Sequence, residues 1–148
     1  TPNMRVFEKY AVRAGGAQNH RMGLYDMIMI KDNHVDFAGG IPNAIAAVHR
    51  YLQATQRNLI IEIEVRNMDE LRQVLQQGGV HRIMLDNFTP AALKEAVDLI
   101  GGRFETEASG GITLDTIRTF AETGVDFISV GALTHHISSL DLSLKAID

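Results

Sequence analysis

The chain has 148 residues, of which 45% are hydrophobic and 22% charged, the balance of a single globular domain. Its formal net charge of -4 argues against a general nucleic-acid or membrane-surface binder, and no apolar run approaches the roughly 20 residues of a membrane span. The absence of cysteine excludes disulfides, thiolate nucleophiles and Cys-zinc sites, and with no signal-peptide pattern the expected setting is the cytoplasm.

The chain opens Thr1-Pro2-Asn3, without an initiator methionine, and passes straight into a helical pattern, as expected of a piece of a longer protein. Pro2 suits the helix start, Met4, Phe7 and Ala11 fall on one face, and Gly15-Gly16 ends it. The stretch GGAQNHRMGLYDMIMIKDNH then gathers polar and charged residues around one short apolar run, Met27 to Ile30. A run so short, rich in β-formers and bounded by polar clusters, predicts a buried strand over Asp26 to Lys31. Lys31 stands at its carboxyl end, where open α/β sheets and barrels place their ligands. With His20 and Arg21 from the preceding glycine-rich loop, it makes a group of cationic or protonatable side chains suited to an anion.

Asp36 to Gly40 reads as a turn, and Pro42 as the first turn of a helix whose buried stripe is Ile45, Val48 and Leu52, with His49 beside it at the surface. Leu59 to Val65 is a strand of informative parity. Ile61, Ile63 and Val65 point one way, towards helices in a barrel; Ile60, Glu62 and Glu64 point the other, inward. An inward carboxylate needs a cation or hydrogen-bond donors. Glu64, nearer the carboxyl end, is the better site candidate; Glu62 is either the partner of a core arginine or lysine or a catalytic group.

Asn67 and Glu70 predict a capping-box start for the next helix, whose apolar face is Leu71, Val74 and Leu75. Arg82 to Leu85 is a short strand ending in Asp86-Asn87, and Thr89-Pro90 starts a helix with Leu93, Val97 and Ile100 inside. His81, ahead of that strand, reads as structural. Phe104 to Ala108 is a strand that delivers Ser109-Gly110-Gly111, after which Thr113 is expected to cap a helix carrying Ile117, Phe120 and Ala121. Val125 to Val130 is the last clear strand, followed by Gly131-Ala132 and a tail without strong period.

The pattern is a helix followed by βαβαβαβαβ, which implies parallel strands joined by right-handed helical crossovers: a partial (β/α) barrel, TIM-barrel-like. Lys31, Glu64, Asp86, Ser109-Gly110-Gly111 and Gly131-Ala132 all fall at strand carboxyl ends, which a barrel gathers at one mouth. The glycines let backbone N–H groups approach a phosphate, aided by the helix expected after Thr113. Glu64 and Asp86, on neighbouring strands, would repel that phosphate unless a hard cation lay between, which suits magnesium. The site reads as phosphate at one side, metal in the middle and a small anionic co-substrate at Lys31, Arg21 and His20.

These residues resemble quinolinate phosphoribosyltransferase, the carboxylating nicotinate-nucleotide pyrophosphorylase of NAD biosynthesis, through EKYAVRAGGAQNHRMGLYD, IKDNH, IEIEV, LDN, EASGGI, TGVDFISVGALTH and LDLSL. The resemblance implies that His20, Arg21 and Lys31 bind the dicarboxylate or neighbouring phosphates. It implies that Glu64 and Asp86 serve the magnesium and the ribose hydroxyls of phosphoribosyl pyrophosphate, and that Ser109, Gly110, Gly111, Gly131 and Ala132 lie along the 5′-phosphate. In the implied chemistry pyrophosphate leaves the ribose C1, the pyridine nitrogen of quinolinate attacks, and CO2 is lost, with Lys31, Glu64 and Asp86 as the catalytic set. It further implies a homodimer, and a carboxyl-terminal piece of an open six-stranded barrel, without the amino-terminal domain and first barrel strand, inactive alone and prone to self-association along the open edge of its first strand. The sequence departs from the family pattern at Gly15-Gly16-Ala17, where a triple glycine is usual, and at His136, where serine is commoner. Three other readings stand beside this one: a related phosphoribosyltransferase with another anionic substrate, a Schiff-base aldolase using Lys31, and an inactive structural fragment.

Overall fold

The computed structural model of the protein describes residues 2–147; the opening Thr1 lies outside them. Two compact units divide the chain, one spanning His20–Val130 and the other made of the segments that flank it.

The His20–Val130 unit holds a five-stranded sheet in the order β1-β2-β3-β4-β5, with every neighbouring pair parallel. The strands are β1 (Ile28–Ile30), β2 (Ile61–Val65), β3 (Arg82–Asp86), β4 (Glu105–Ser109) and β5 (Phe127–Ile128). Between them run α2 (Asp32–Ala38), α3 (Ile41–Thr55), α4 (Met68–Gln77), α5 (Pro90–Ile100) and α6 (Ile117–Ala121). Sequential order with all strands parallel is that of a β/α barrel, here open, with β1 and β5 at its edges.

Side-chain parity divides the sheet into two chemically opposite faces. Ile30, Ile61, Ile63, Val65, Ile83, Leu85 and Ala108 join Ile45, Leu71, Val74, Leu93 and Ile100 of the helices in one core. The register sets Glu62 beside Arg82 and Arg82 beside Glu105, then Glu64 beside Met84 and Met84 beside Glu107, then Asp86 beside Ser109. The face turned from the helices is therefore ruled by rows of ionisable groups, as the alternation of Leu59 to Val65 predicts.

The helix starts follow their capping chemistry. The Asn67 side chain accepts from the N–H groups of Asp69 and Glu70, while Glu70 accepts from Arg66 N–H rather than closing the box on Asn67. Thr89 Oγ1 accepts from Ala92 N–H at 3.3 Å, and Pro90 occupies the first turn of α5. His49 is exposed, as expected, and its Nε2 donates to the Gly79 carbonyl at 2.8 Å. His81 is structural: its Nδ1 accepts from Ile61 N–H at 3.0 Å.

Three expectations are corrected. β1, β2 and β5 are shorter than the expected strands, β1 and β5 most of all, because paired register there is limited to Ile28–Ile30 and Phe127–Ile128, while β3 and β4 keep about the expected length. The turn expected at Asp36 to Gly40 is mostly helix: α2 starts where the Lys31 N–H donates to His34 Nδ1 at 3.0 Å and ends at Gly39, with φ +77°. Thr113 caps no helix. Thr116 Oγ1 accepts from its N–H at 3.0 Å, which makes a local turn, and α6 begins only at Ile117. Met4, Phe7 and Ala11, expected on one helical face, are exposed.

These residues belong to the flanking unit, where α1 (Arg5–Ala14) packs with the short α7 (Ala132–His135). Val12 is the buried residue of α1. A four-residue helix covers little of a ten-residue one, so an amphipathic pattern alone leaves most of α1 open.

Candidate functional site

Four neighbouring parallel strands present the predicted groups at one end of the sheet. Lys31 follows β1 and stands at the amino-terminal boundary of α2, with its side chain exposed. A Schiff-base lysine needs a desolvated amine, so this exposure disfavours the aldolase reading. Glu64 is half-buried on β2. Burial pushes its carboxyl above the ordinary range, the negative charges of Asp86 and Asp32 add to that, and Lys31 and Arg66 oppose it. Lys31, Asp32, Glu64 and Asp86 thus share one electrostatic field.

At the end of β3, Asp86 Oδ2 accepts from Asn87 Nδ2 at 2.6 Å. Asn87 itself sits at φ +56°, and its N–H donates to the Ser109 carbonyl at 2.8 Å. Gly110 follows at φ +106°, packed so closely on Asn87 that a β-carbon there would overlap its side-chain oxygen. Asn87 therefore ties the Asp86 carboxylate to the Ser109-Gly110-Gly111 loop. Gly131 and Ala132 lie in the flanking unit, at the start of α7.

A second group lies deeper on the same face. His20 Nε2 donates to Glu62 Oε2 at 2.6 Å and lies 3.5 Å from Glu107 Oε1. Arg82 donates to Glu107 Oε2 at 2.9 Å through one terminal nitrogen and to Glu105 Oε2 at 2.9 Å through the other. Its guanidinium carbon is 3.9 Å from the centre of the Phe127 ring, and Ser129 Oγ donates to Glu107 Oε1. Glu62 and Glu107 are both buried. The bond to Glu62 pushes the His20 imidazole above its ordinary range, burial opposes this, the charges of Glu107 and Glu62 add to it, and Arg21 opposes it. Burial and then the charge of Glu62 push the Glu107 carboxyl up, partly offset by Ser129, His20 and Arg82.

Among the described residues, His20, Glu62 and Glu107 are the group whose ligating atoms converge within 4.8 Å. Their own hydrogen bonds, together with Arg82 and Ser129, already occupy this cluster. Glu62 is thus paired with a histidine, not with the core arginine or lysine expected as one reading. His20 stands in this ion cluster, whereas Lys31 belongs to the field of Glu64 and Asp86.

Sequence reasoning missed Glu107, Arg82, Ser129 and Asn87. Glu105 and Glu107 on β4 share the parity that singles out Glu62 and Glu64, and an arginine beginning β3 is the cation those inward carboxylates require. Asn87 carried no signal beyond its place after Asp86.

Comparison with known proteins bears on this arrangement. The family model described as quinolinate phosphoribosyl transferase, C-terminal domain, matches residues 1–145. The chain is 48% identical over 158 aligned residues to the chloroplastic carboxylating nicotinate-nucleotide pyrophosphorylase of Arabidopsis thaliana, covering 97% of this chain and 45% of that protein. It is 47% identical, with the same coverage of 97% and 45%, to the mitochondrial decarboxylating quinolinate phosphoribosyltransferase 2 of Nicotiana glauca. The solved nicotinate-nucleotide pyrophosphorylase from Francisella tularensis superposes with a TM-score of 0.88 at 44% identity, covering 97% of this chain and 49% of that one. The chain spans about half the length of the curated relatives it matches. A match over residues 1–145 leaves almost nothing of it outside the matched domain, and the chain belongs to the quinolinate phosphoribosyl transferase family, through the C-terminal domain.

Proposed function

We propose that the full-length protein transfers the phosphoribosyl group of phosphoribosyl pyrophosphate to quinolinate with decarboxylation, giving nicotinate mononucleotide, CO2 and pyrophosphate in NAD biosynthesis. The observation that carries this reading is the succession of Lys31, Glu64, Asp86 and Ser109-Gly110-Gly111 along the carboxyl ends of four adjacent parallel strands. It offers, in order, a cation for a carboxylate, oxygen donors for a metal and the ribose, and backbone N–H groups for a phosphate.

Lys31, Arg21 and His20 would hold the two carboxylates of quinolinate and leave its ring nitrogen directed at the ribose C1. Pyrophosphate departs with the electrons of the C1–O bond while the ring nitrogen forms the new C–N bond. Loss of CO2 leaves an electron pair on the ring carbon beside that nitrogen, and a proton takes its place. No step needs a protein nucleophile, so catalysis rests on charge placement.

Glu64 and Asp86 fit magnesium: both offer hard oxygen donors, and their mutual repulsion, with Asp32 adding to it, is relieved by a cation. When bound, magnesium supplies positive charge for the departing pyrophosphate. Asn87 keeps the Asp86 carboxylate aimed, and the hydroxyl of Ser109 and the amides of Gly110 and Gly111 would cradle the 5′-phosphate. The same reading carries a homodimer and a cytoplasmic setting; among the described residues no helix is long and apolar enough to cross a membrane.

The test is an assay of the full-length protein with phosphoribosyl pyrophosphate, quinolinate and magnesium. Equimolar release of pyrophosphate and CO2 is expected. A folded full-length protein that releases neither would overturn the reading.

A further inference from the structure

We propose that Glu62 and Glu107 are positioning residues that act through His20, holding its ring by Nε2 so that Nδ1–H is the donor presented to a carboxylate of the acceptor. This rests on the proposed quinolinate reading and adds to it how the histidine is made competent.

An ionised carboxylate only accepts, so the 2.6 Å contact of Nε2 with Glu62 Oε2 requires the proton on Nε2. No described residue hydrogen-bonds Nδ1. In a neutral ring Nδ1 would then carry a lone pair, which repels a ligand carboxylate. In the imidazolium it carries N–H, which binds one with charge assistance. Which form prevails depends on the charges around the ring. Glu62 from β2 and Glu107 from β4 favour the cation, and Arg21 beside His20 opposes it. Arg82 from β3 is held on Glu105 and Glu107 and tempers the field of the latter.

Burial sharpens the effect. Both carboxylates are buried, while the His20 side chain remains 24% exposed, so the ring is clamped from the protein side and open on the other. Oε1 of Glu62 has no hydrogen-bond partner among the described residues, so the ring is the hydrogen-bond partner of this carboxylate, whose charge also reaches Glu107 and Arg82. The outward bias of His20 towards its charged form agrees with this geometry.

The experiment combines ring-nitrogen NMR of histidine with quinolinate kinetics in the full-length protein, for Glu62→Gln, Glu107→Gln, His20→Gln and the double variant Glu62→Gln/His20→Gln. In the wild type the two ring nitrogens of His20 should show the cationic pattern to a pH above that of a free histidine. Glu62→Gln should lower that midpoint by about one pH unit, which is a tenfold change in the protonated fraction above it. The KM for quinolinate should rise about tenfold at alkaline pH, less at acidic pH, and by more than kcat falls. The double variant should bind no worse than His20→Gln alone. An unchanged His20 midpoint in Glu62→Gln, or additive losses in the double variant, overturns the proposal. Should Glu62→Gln not fold, Glu107→Gln decides it by the same midpoint. Wild-type quinolinate affinity in His20→Gln, with assay activity intact, overturns it differently, by removing His20 from the acceptor site while leaving the transferase reading standing.

Discussion

Gly110→Ala is expected to cripple the proposed phosphate end of the site and to destabilise the fold. A β-carbon at Gly110 would overlap Asn87 Oδ1 and lie 2.7 Å from Asn87 Cγ and 2.9 Å from its backbone nitrogen. The last distance matters most, because a backbone atom cannot swing away. Asn87 is moreover held on both sides, by its N–H on Ser109 O at 2.8 Å and its Nδ2 on Asp86 Oδ2 at 2.6 Å. Relief of the overlap must therefore displace either the Asp86 carboxylate or the Ser109 loop. The backbone at φ +106° is itself unfavourable for alanine. Strain of this kind costs about 1–3 kcal/mol, and overpacking costs about as much again. Urea denaturation should show a midpoint loss of that order, and the KM for phosphoribosyl pyrophosphate should rise more than that for quinolinate. Unchanged denaturation and unchanged KM values would show that the loop yields freely, and that Asn87 does not brace it.

Arg82→Met should give the second large effect, on stability and with a distinctive pH dependence. Methionine keeps much of the volume but removes the only guanidinium bonded to Glu107 among the described residues. The half of the interaction that reaches Glu105 is half-exposed and worth little. The half that reaches Glu107 is buried, and breaking such a pair typically costs about 3–5 kcal/mol. Burial and Glu62 already hold the Glu107 carboxyl above its ordinary range, and loss of the arginine moves it further up. A carboxyl whose folded pKa is raised adds stability that is fully present below its unfolded pKa and is lost as pH rises through the folded value. The deficit of Arg82→Met against wild type should therefore be small at acidic pH and grow as pH rises through that of the Glu107 carboxyl. Adding Glu107→Gln should recover part of it. A deficit independent of pH would assign the loss to packing against Phe127 instead of to the buried charge.

Much of this architecture is legible in the amino-acid order, for identifiable reasons. Ile61, Ile63 and Val65 alternate with Glu62 and Glu64, so one β-strand already states which face meets the helices and which faces ions. Thr89-Pro90 and Asn67 mark helix starts because capping is local chemistry, satisfied within three residues. What escaped was decided by tertiary partners or by competing local bonds. Thr113 has the chemistry of a cap, but its hydroxyl lies 3.2 Å from Thr116 Oγ1 instead of accepting a backbone N–H. The face of Met4, Phe7 and Ala11 has the right period but little to bury it. The strand-end groups could be placed by their position alone, whereas the pairing of His20 with Glu62 joins residues far apart in the chain.

The order of the strands also bears on how the chain reaches this state. Each crossover lays its strand beside the one just made: Ile30 pairs with Ile63, Ile63 with Ile83, Ile83 with Thr106 and Ala108 with Ile128. Every ladder therefore joins strands consecutive in the chain, across one helix or, between β1 and β2, across two, and none requires distant parts of the chain to find each other. Closure entropy rises only with the logarithm of loop length, so these loops are near the cheapest that a parallel sheet allows. Parallel sheets are slow to assemble when their pairings are remote; here each pairing joins consecutive strands, so the sheet can grow strand by strand from whichever unit forms first. The search is local throughout, although the ion cluster it assembles draws on residues from the beginning of the unit to its end.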